Sequence, residues 1–361
     1  MRLAVFLPNW VGDVVMATPA VRALRKLAGG GVLVGVMRPY VADVLAGSDW
    51  FDQTIVYQKG KQANDRRHGG DASHGWPAVR EQLRAARLDM AVLLTNSLRT
   101  AWMAYRSGAP QRVGMVGNLR SPLLTVRAYA PRRKGKPVTL PAVSGYLHVA
   151  QAAGAAPESP ALELATTPED ERAADAVWKR FGYAAEARVA VLNTGGAFGA
   201  AKNWPAENFA QLALKLADQR DMHVLFNCGP AERDAVRRIV AGVGHPRINS
   251  LADEPELPIG LTKAVIRRAA TLVTTDSGPR FFGVALGVPT VSLFGPTDEL
   301  LTQTGAANDI CVGLDLACRP CMARLCPLVH HRCMTELGVN QVFAAVDEAL
   351  QTAAHRGRIA A

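Results

Sequence analysis

The stretch Thr271–Asp298, TLVTTDSGPRFFGVALGVPTVSLFGPTD, decides the fold class of this chain. It reads as a buried strand, a polar turn, a short apolar helix, a second buried strand and a second polar turn. Two short strands joined by a helix pair in parallel. Ligands of parallel sheets bind at the carboxyl ends of the strands, where both polar turns fall. The helix after Gly278 offers free backbone N–H groups and a positive dipole end, which suit a phosphate.

The N-terminal residues repeat this arrangement. A strand is predicted over residues 2–7, followed by the polar turn PNWVGD and a helix over residues 14–28. Asp13 stands at the turn from strand to helix. Aspartate is favoured as a helix N-cap. A carboxylate at the edge of a cleft can also accept a proton, so both roles stay open.

The rest of the chain alternates apolar strands with helices, which predicts parallel α/β sheets. The second half begins near Thr167, where Thr-Pro-Glu-Asp carries the signals of a helix start. The remaining strands are expected at 31–37, 53–57, 89–94, 189–193, 222–227, 271–275 and 289–293. The remaining helices are expected at 39–46, 77–87, 97–106, 141–153, 206–219, 231–241, 257–269, 279–287 and 339–355.

Length and composition predict a globular protein of two domains. A chain of 361 residues exceeds the size at which one core usually divides, and 49% apolar content supports well-buried cores. No run approaches the roughly 20 apolar residues of a membrane helix. The start MRLAVFLPNWVGD is interrupted too early for a secretory signal. We therefore expect a cytoplasmic protein.

The net charge of +10 belongs wholly to the first half. Residues 1–165 contain 21 Lys and Arg against 10 Asp and Glu, whereas residues 166–361 contain 20 against 21. The excess concentrates in two predicted loops, 59–67 and 127–136. This asymmetry suits an anionic partner such as a phosphorylated lipid, an anionic membrane surface or nucleic acid. Alternatively, both clusters are solvated loops. Few aromatic residues and no recognisable nucleic-acid module disfavour nucleic acid.

Four separated motifs, in order, resemble the ADP-heptose:lipopolysaccharide heptosyltransferases of glycosyltransferase family 9. They are LPNWVGDVVMATPAVRALR (7–25), NTGGAFGAAKNWP (193–205), GPAERD (229–234), and TDSGP with ALGVPTVSLFGPTD (275–298). The LPNWVGD form is more similar to the second heptosyltransferase of the inner core than to the first. The resemblance runs nearly end to end.

The resemblance implies an α/β fold of GT-B type, in which two Rossmann-like parallel-sheet domains face a central cleft. Residues 1–165 would form the acceptor-binding domain and residues 166–338 the domain that binds the nucleotide-sugar donor. In this architecture the final helix, here within 339–361, often crosses back to the first domain.

Donor-binding residues are carried over from the motifs. The loop after strand 189–193 contains three glycines, which let backbone amides approach a ligand, and a mobile charge at Lys202. It lacks the Walker A spacing and could by itself be an ordinary turn. In the family, the positions of Thr194 and Lys202 contact the donor diphosphate. The position of Glu232 binds ribose hydroxyls, although the helix dipole favours a first-turn carboxylate in any case.

The turn Asp276-Ser277-Gly278 completes the expected diphosphate site, but the residues after it depart from the family pattern. The family usually has His where Phe281 stands, and that His helps to bind the diphosphate. Phe281 cannot donate a hydrogen bond. Arg280 carries a permanent charge and is a candidate replacement, although adjacent helical residues point about 100° apart. The departure leaves the donor open.

The resemblance implies inverting transfer of L-glycero-D-manno-heptose from ADP-heptose to an inner-core lipopolysaccharide precursor, Kdo-lipid A with one heptose for the second-enzyme type. Asp13 would be the general base. The basic cluster would contact this lipid A-core acceptor and the anionic inner membrane, with which the protein would associate peripherally; its residues are Arg132, Arg133, Lys134 and Lys136. No cofactor is needed, because a lysine and a helix dipole can stabilise the leaving ADP.

Four of the six cysteines form a C-x2-C-x4-C-x6-C segment at Cys318, Cys321, Cys326 and Cys333. C-x2-C is a zinc-ligand spacing, but x4 and x6 fit no standard module. We expect no metal and reduced packing thiols, with a structural metal or redox chemistry as alternatives. For the whole protein, the alternatives are a non-catalytic binder of nucleotide sugars or acidic glycolipids, and a glycosyltransferase that uses another nucleotide sugar.

Overall fold

A computed structural model describes residues 1–58, 72–196 and 198–360 of the chain. The chain divides into two compact units. The first comprises Met1–Leu164 and Leu301–Gln303, and the second comprises Ala165–Leu300 and Thr304–Ala361. The described helices include none that is long and apolar enough to cross a bilayer.

The first unit is built on a six-stranded parallel sheet in the order β3-β2-β1-β4-β5-β6. The strands of this unit are β1 (Arg2–Phe6), β2 (Val32–Met37), β3 (Gln53–Val56), β4 (Met90–Leu93), β5 (Gln111–Met115), β6 (Val126–Ala128), β7 (Arg132–Arg133) and β8 (Lys136–Pro137). The helices are α1 (Val11–Met16), α2 (Thr18–Ala28), α3 (Pro39–Leu45), α4 (Trp76–Ala85), α5 (Leu98–Arg106) and α6 (Ala142–Ala152).

The second unit repeats the same order, as β11-β10-β9-β12-β13-β14, again with every pair parallel. Its strands are β9 (Val189–Asn193), β10 (His223–Asn227), β11 (Ile248–Ser250), β12 (Thr271–Thr275), β13 (Thr290–Phe294) and β14 (Asp309–Gly313). The remaining helices are α7 (Pro168–Phe181), α8 (Ala206–Arg220), α9 (Arg233–Val243), α10 (Ile259–Arg267), α11 (Gly278–Ala285), α12 (Glu299–Thr302), α13 (Arg332–Thr335) and α14 (Val339–Ala360).

Both sheets therefore have the Rossmann strand order, which confirms the predicted α/β class with two parallel-sheet Rossmann-like domains. In such a sheet the strand order reverses beside the first strand, and ligands bind at the carboxyl ends there. In the first unit β1 lies between β2 and β4, and in the second β9 lies between β10 and β12. The carboxyl ends of β1 and β4, and of β9 and β12, are thus the expected ligand positions.

The single helix expected over 14–28 is two helices, because of Pro19. Proline has no N–H to donate to the carbonyl four residues earlier, that of Val15. The hydroxyl of Thr18 donates to this carbonyl instead, at 2.7 Å. Helix α1 therefore ends at Met16, and α2 begins at Thr18.

Helix α7 begins as the sequence predicts. The Thr167 hydroxyl accepts from the backbone N–H of Asp170 at 3.1 Å, and the Asp170 carboxylate accepts from the N–H of Thr167 at 2.9 Å. Helix α14 packs on α8 and on strands β12, β13 and β14 of its own unit. Its expected return to the first unit concerns how the two units are arranged and stays a prediction.

Candidate functional site

The carboxyl ends of β9 and β12 form the first candidate site, in the second unit. Asn193 ends β9 and pairs in register with Thr274 of β12. The Asn193 amide donates to the carbonyl of Gly195 at 2.8 Å and accepts from the Asn227 amide at 2.8 Å. These bonds fix the start of the glycine-rich loop at the point where the strand order reverses.

Lys202 and Asp276 meet at this site. The Lys202 ammonium donates to Oδ2 of Asp276 at 2.7 Å and to its carbonyl oxygen at 2.6 Å. Oδ2 also accepts from the Thr297 hydroxyl at 2.8 Å, and Oδ1 lies 3.2 Å from Nη1 of Arg280. Burial would raise the pKa of Asp276, but these cations and the hydroxyl outweigh it and hold the pKa below its usual range. Two of the residues predicted for the donor site are thus in direct contact.

The N-terminus of α11 lies beside this ion pair. Ser277 is its N-cap, yet the Ser277 side chain makes no capping hydrogen bond to the helix. Its hydroxyl lies instead 3.2 Å from the Thr274 hydroxyl and 3.4 Å from the Asn193 amide nitrogen. In the first turn of α11, Pro279 has no N–H and the Arg280 N–H donates to the Ser277 carbonyl at 3.2 Å. The N–H of Gly278, at the start of the helix, is the candidate donor to an anion.

Glu232 belongs to the same site. One carboxylate oxygen accepts from the backbone N–H of Gly229 at 2.8 Å, and the other lies where a Cβ of Gly195 would stand. Similarly, a Cβ at Gly196 would lie 2.8 Å from that of Ser277. The glycine-rich loop therefore packs directly on Glu232 and on the α11 turn. Thr194 follows β9 directly and is partly buried; its contact with a donor stays a prediction.

Arg280 is placed differently from the sequence-based expectation of a donor contact. Its side chain has 0% exposure and pairs with the Asp309 carboxylate at 2.8 Å. The guanidinium lies over the rings of Phe281 and Phe294, at 5.0 and 4.8 Å from their centroids. Because Arg280 is fully buried and paired with both Asp276 and Asp309, we expect it to hold the Asp276 carboxylate in place rather than to bind the donor itself.

The second candidate site is a cavity of about 450 Å³ in the first unit. It lies at the carboxyl ends of β1 and β4, beside α6 and the segment after β8. Asp13 is one of its polar lining residues, and the Tyr146 hydroxyl donates to Oδ1 of Asp13 at 2.9 Å. The full lining is Asp13, Leu93, Leu94, Asn96, Met115, Ala130, Pro137, Val138, Thr139, Leu140, Ala142, Gly145, Tyr146 and Val149.

Asp13 is not a helix N-cap. The N-cap of α1 is Trp10, and Asp13 is the third residue of that helix. The expected N-cap position was wrong because the helix starts three residues earlier than its apolar pattern indicates. In the first turn the carboxylate is still favoured by the helix dipole, and it reaches the cavity.

The basic residues of the predicted loop 127–136 lie on regular structure instead. Arg127 is in β6, and Arg132–Arg133 pairs with Lys136–Pro137 as an antiparallel hairpin. Lys134 and Gly135 both have positive φ, as a tight two-residue hairpin turn requires. The side chains of Arg132, Arg133, Lys134 and Lys136 are exposed. The following residues, from Pro137 to Leu140, line the cavity.

The other basic cluster, residues 59–67, lies outside the described residues.

Two residues that sequence reasoning missed are Tyr146 and Arg120. Arg120 is fully buried, and its guanidinium donates to the Thr95 carbonyl and to Oδ1 of Asn96. Burial lowers the pKa of Arg120. The turn sequence GNLRSP (117–122) does not indicate that Arg120 will be buried beside Asn96, which lines the cavity.

The cysteine segment packs against the donor loop. Its four cysteines, Cys318, Cys321, Cys326 and Cys333, line one small cavity together with His330 and His331. Nowhere in the described ranges are three His, Cys, Asp or Glu side chains arranged to hold a metal ion. The backbone N–H of Ala201 donates to the Arg324 carbonyl at 3.1 Å, and the His331 ring lies 2.7 Å from the Ala201 carbonyl. The segment therefore supports the turn that carries Lys202.

Both units thus have a Rossmann-like sheet with a candidate site where the strand order reverses. The family model described as glycosyltransferase family 9 (heptosyltransferase) matches residues 76–331. The chain belongs to this family.

Individual relatives agree with this assignment. Lipooligosaccharide heptosyltransferase 2 of Campylobacter jejuni is 34% identical over 163 residues, 43% of this chain and 49% of that protein. The chain thus matches about half the length of this relative. Lipopolysaccharide heptosyltransferase 2 of Escherichia coli K12 is 28% identical over 313 residues, 84% of this chain and 85% of that protein. The solved structure of E. coli ADP-heptose lps heptosyltransferase II has a TM-score of 0.76 at 21% identity, covering 97% of this chain and 99% of that one. The expected resemblance to family 9 and its second-enzyme type is confirmed.

Proposed function

We propose that this protein transfers L-glycero-D-manno-heptose from ADP-heptose to the inner core of a lipopolysaccharide precursor, with inversion at the anomeric carbon. The observation that carries the proposal is the Lys202 ammonium, held by Asp276 beside the N-terminus of α11. Family membership selects this chemistry among nucleotide-dependent reactions. The E. coli relative is named an ADP-heptose enzyme, which supports the same donor here.

The second unit would bind the ADP moiety. The charged side chains of this ion-pair network carry no net formal charge, so the diphosphate is not attracted by an excess of positive charge; they are Lys202, Asp276, Arg280 and Asp309. Instead, Lys202 can turn from Asp276 to the diphosphate, because Asp276 keeps Arg280 and Thr297 as partners. The backbone N–H of Gly278, at the N-terminus of α11, would bind a further phosphate oxygen.

The first unit would bind the acceptor in the cavity that contains Asp13. The carboxylate takes the proton of the acceptor hydroxyl while its oxygen forms a bond to the anomeric carbon. The bond between that carbon and the phosphate oxygen breaks, and ADP leaves with the electron pair. Lys202 and the Gly278 amide would stabilise the new negative charge. General-base assistance contributes roughly 10²–10⁴-fold to the rate.

The acceptor is a phosphorylated, acidic glycolipid at the inner face of the membrane, and the exposed hairpin Arg132–Pro137 would contact its anionic groups. Four cations of this hairpin precede residues that line the cavity. In this proposal the protein is a cytoplasmic enzyme that associates peripherally with the membrane.

Transfer is tested by mass spectrometry with ADP-heptose and a panel of truncated lipopolysaccharide acceptors. We expect one heptose to be added to Kdo-lipid A that already carries one heptose. Asp13→Asn should reduce turnover roughly 10²-fold or more, whereas Asp43→Asn, the same change at an exposed site of the first unit, should not. Binding of ADP-heptose without transfer would indicate a binding protein. Transfer only from other nucleotide sugars would show that ADP-heptose is not the donor.

A further inference from the structure

The carboxylate of Asp13 is bound by a side chain far away in the sequence. The Tyr146 hydroxyl donates a hydrogen bond to Oδ1 of Asp13 at 2.9 Å, across 133 residues of sequence. The bond connects the first turn of α1 to the middle of α6, and these helices pack together.

We propose that Tyr146 is a positioning residue, whose hydroxyl holds the Asp13 carboxylate in the orientation that accepts the acceptor proton. This inference rests on the proposed role of Asp13 as general base. Catalytic bases are commonly oriented by a third group in this way.

The placement of Tyr146 supports this role. One face of α6 lines the cavity through Ala142, Gly145, Tyr146 and Val149, which follow the three- and four-residue spacing of a helix face. The other three residues of this face are small or apolar. Tyr146 therefore brings a hydrogen-bond donor to a face that otherwise offers only packing, and it meets Asp13 at the cavity wall.

The Tyr146 hydroxyl remains protonated and can therefore always donate its hydrogen bond to Asp13. Burial, with the Asp13 charge and its hydrogen bond, raises the pKa of Tyr146 well above its usual range. The hydroxyl therefore stays protonated at every working pH and cannot compete with Asp13 as a base. The hydrogen bond restricts the rotation of the short Asp13 side chain, and misorientation of a reacting group by about 1 Å can cost 10²-fold in rate.

The test is a double-mutant cycle on the full-length protein, with Tyr146→Phe, Asp13→Asn and the double variant. Rates are measured in single turnover, with ADP-heptose and de-O-acylated Kdo-lipid A bearing one heptose. Tyr146→Phe removes one oxygen atom and keeps the ring, so the variant should remain folded, which thermal melting checks. Tyr105→Phe is the matched control, because Tyr105 is an exposed tyrosine of the same unit.

Tyr146→Phe should lower the transfer rate roughly 10-fold or more, with the KM for ADP-heptose unchanged. In the Asp13→Asn background the same change should have almost no further effect, because the group that Tyr146 orients is already disabled. The inference would be overturned if the rate losses of the two single variants multiplied in the double variant. A normal transfer rate for Tyr146→Phe would also overturn it. Normal turnover of Asp13→Asn would overturn the general-base assignment itself, and with it this inference.

Discussion

Oε1 of Glu232 occupies the space where a side chain of residue 195 would begin. A Cβ added to Gly195 would lie 1.8 Å from this oxygen and 2.4 Å from the carboxylate carbon. The other oxygen, Oε2, accepts a hydrogen bond from Gly229. The glycine at 195 therefore sets the position of the carboxylate that we expect to bind the ribose.

Gly195→Ala should displace the Glu232 carboxylate with little cost to folding, because the atoms displaced are the end of a flexible side chain. ADP affinity should fall roughly 10-fold, because a hydrogen bond to a charged group is worth about 1.5 kcal/mol at the lower end of its range. Gly242→Ala is the control, since nothing lies within 4 Å of a Cβ at that position. Calorimetric titration would refute this account if Gly195→Ala bound ADP normally.

Lys202→Ala should weaken ADP binding roughly 10- to 150-fold, the value of about 1.5–3 kcal/mol for a charge-assisted contact. The variant should fold, because Asp276 keeps Arg280 and Thr297 as partners. Lys179→Ala, an exposed lysine of the same unit, is the matched control. Equal ADP affinity of the two variants in titration calorimetry would remove Lys202 from the donor site.

Arg280 should contribute to stability rather than to donor contact. Arg280→Met leaves the buried Asp309 carboxylate without its cation and should cost about 3–5 kcal/mol of unfolding free energy. The double variant Arg280→Met/Asp309→Asn removes both charges and should recover part of this loss in urea denaturation. If the folded double variant lost as much ADP affinity as Lys202→Ala, Arg280 would instead contact the donor.

The fold was largely predictable because parallel strands covered on both faces are continuous apolar runs. Residues 189–193 and 271–275, for example, were predicted with the bounds that the structure shows. Four strands of the two six-stranded sheets were not predicted, namely β5, β6, β11 and β14, which lie at or next to the sheet edges. The two-residue hairpin strands β7 and β8 were not predicted either. The sequences of these strands are partly polar, as Ile248-Asn249-Ser250 is, and lack the apolar run that would mark a buried strand.

The positions of the candidate site were predictable, but several partners were not. Asp13 and Asp276 follow the strands at which the order of each sheet reverses, so topology alone directs attention to them. The burial of Arg280 depends on Asp309, 29 residues further along, and the Tyr146 bond to Asp13 spans 133 residues. Pairs of this kind depend on tertiary packing that no local pattern encodes.

Glu171 should make stability fall in acid. Burial works to raise its pKa, but hydrogen bonds from Arg267, Thr166 and Arg268 outweigh burial and lower the pKa from 4.5 to about 2. A depressed carboxyl pKa stabilises the folded state above the unfolded value, and this contribution disappears as pH falls from about 4.5 towards 2. After solvent screening we expect about 1–2 kcal/mol.

Urea denaturation at pH 7 and at pH 3 measures this contribution. Glu171→Gln should be less stable than the original protein at pH 7, and the difference should shrink at pH 3. Glu207→Gln, an exposed first-turn glutamate of α8, should show no such trend. A pH-independent difference for Glu171→Gln would mean that its packing, not its charge, stabilises α7 against α10.

The exposed hairpin Arg132–Pro137 should bind anionic lipid. Each cation near an anionic membrane contributes about 1 kcal/mol, screened over a Debye length of roughly 8 Å at physiological salt. Binding to phosphatidylglycerol-containing vesicles should therefore fall steeply as salt rises. Neutralising the four hairpin cations should weaken vesicle binding and acceptor use but leave ADP affinity intact; they are Arg132, Arg133, Lys134 and Lys136.

The matched control for the hairpin variant removes four exposed cations of the second unit, at Arg172, Lys179, Arg188 and Arg238. Both variants lose the same total charge, so a difference between them measures the location of the charge and not its amount. Only the hairpin variant should lose vesicle binding, because the excess charge lies in the first half of the chain. Equal losses in both variants, vesicle binding indifferent to salt, or lost ADP affinity in the hairpin variant would each show that these cations do not form the acceptor-facing surface.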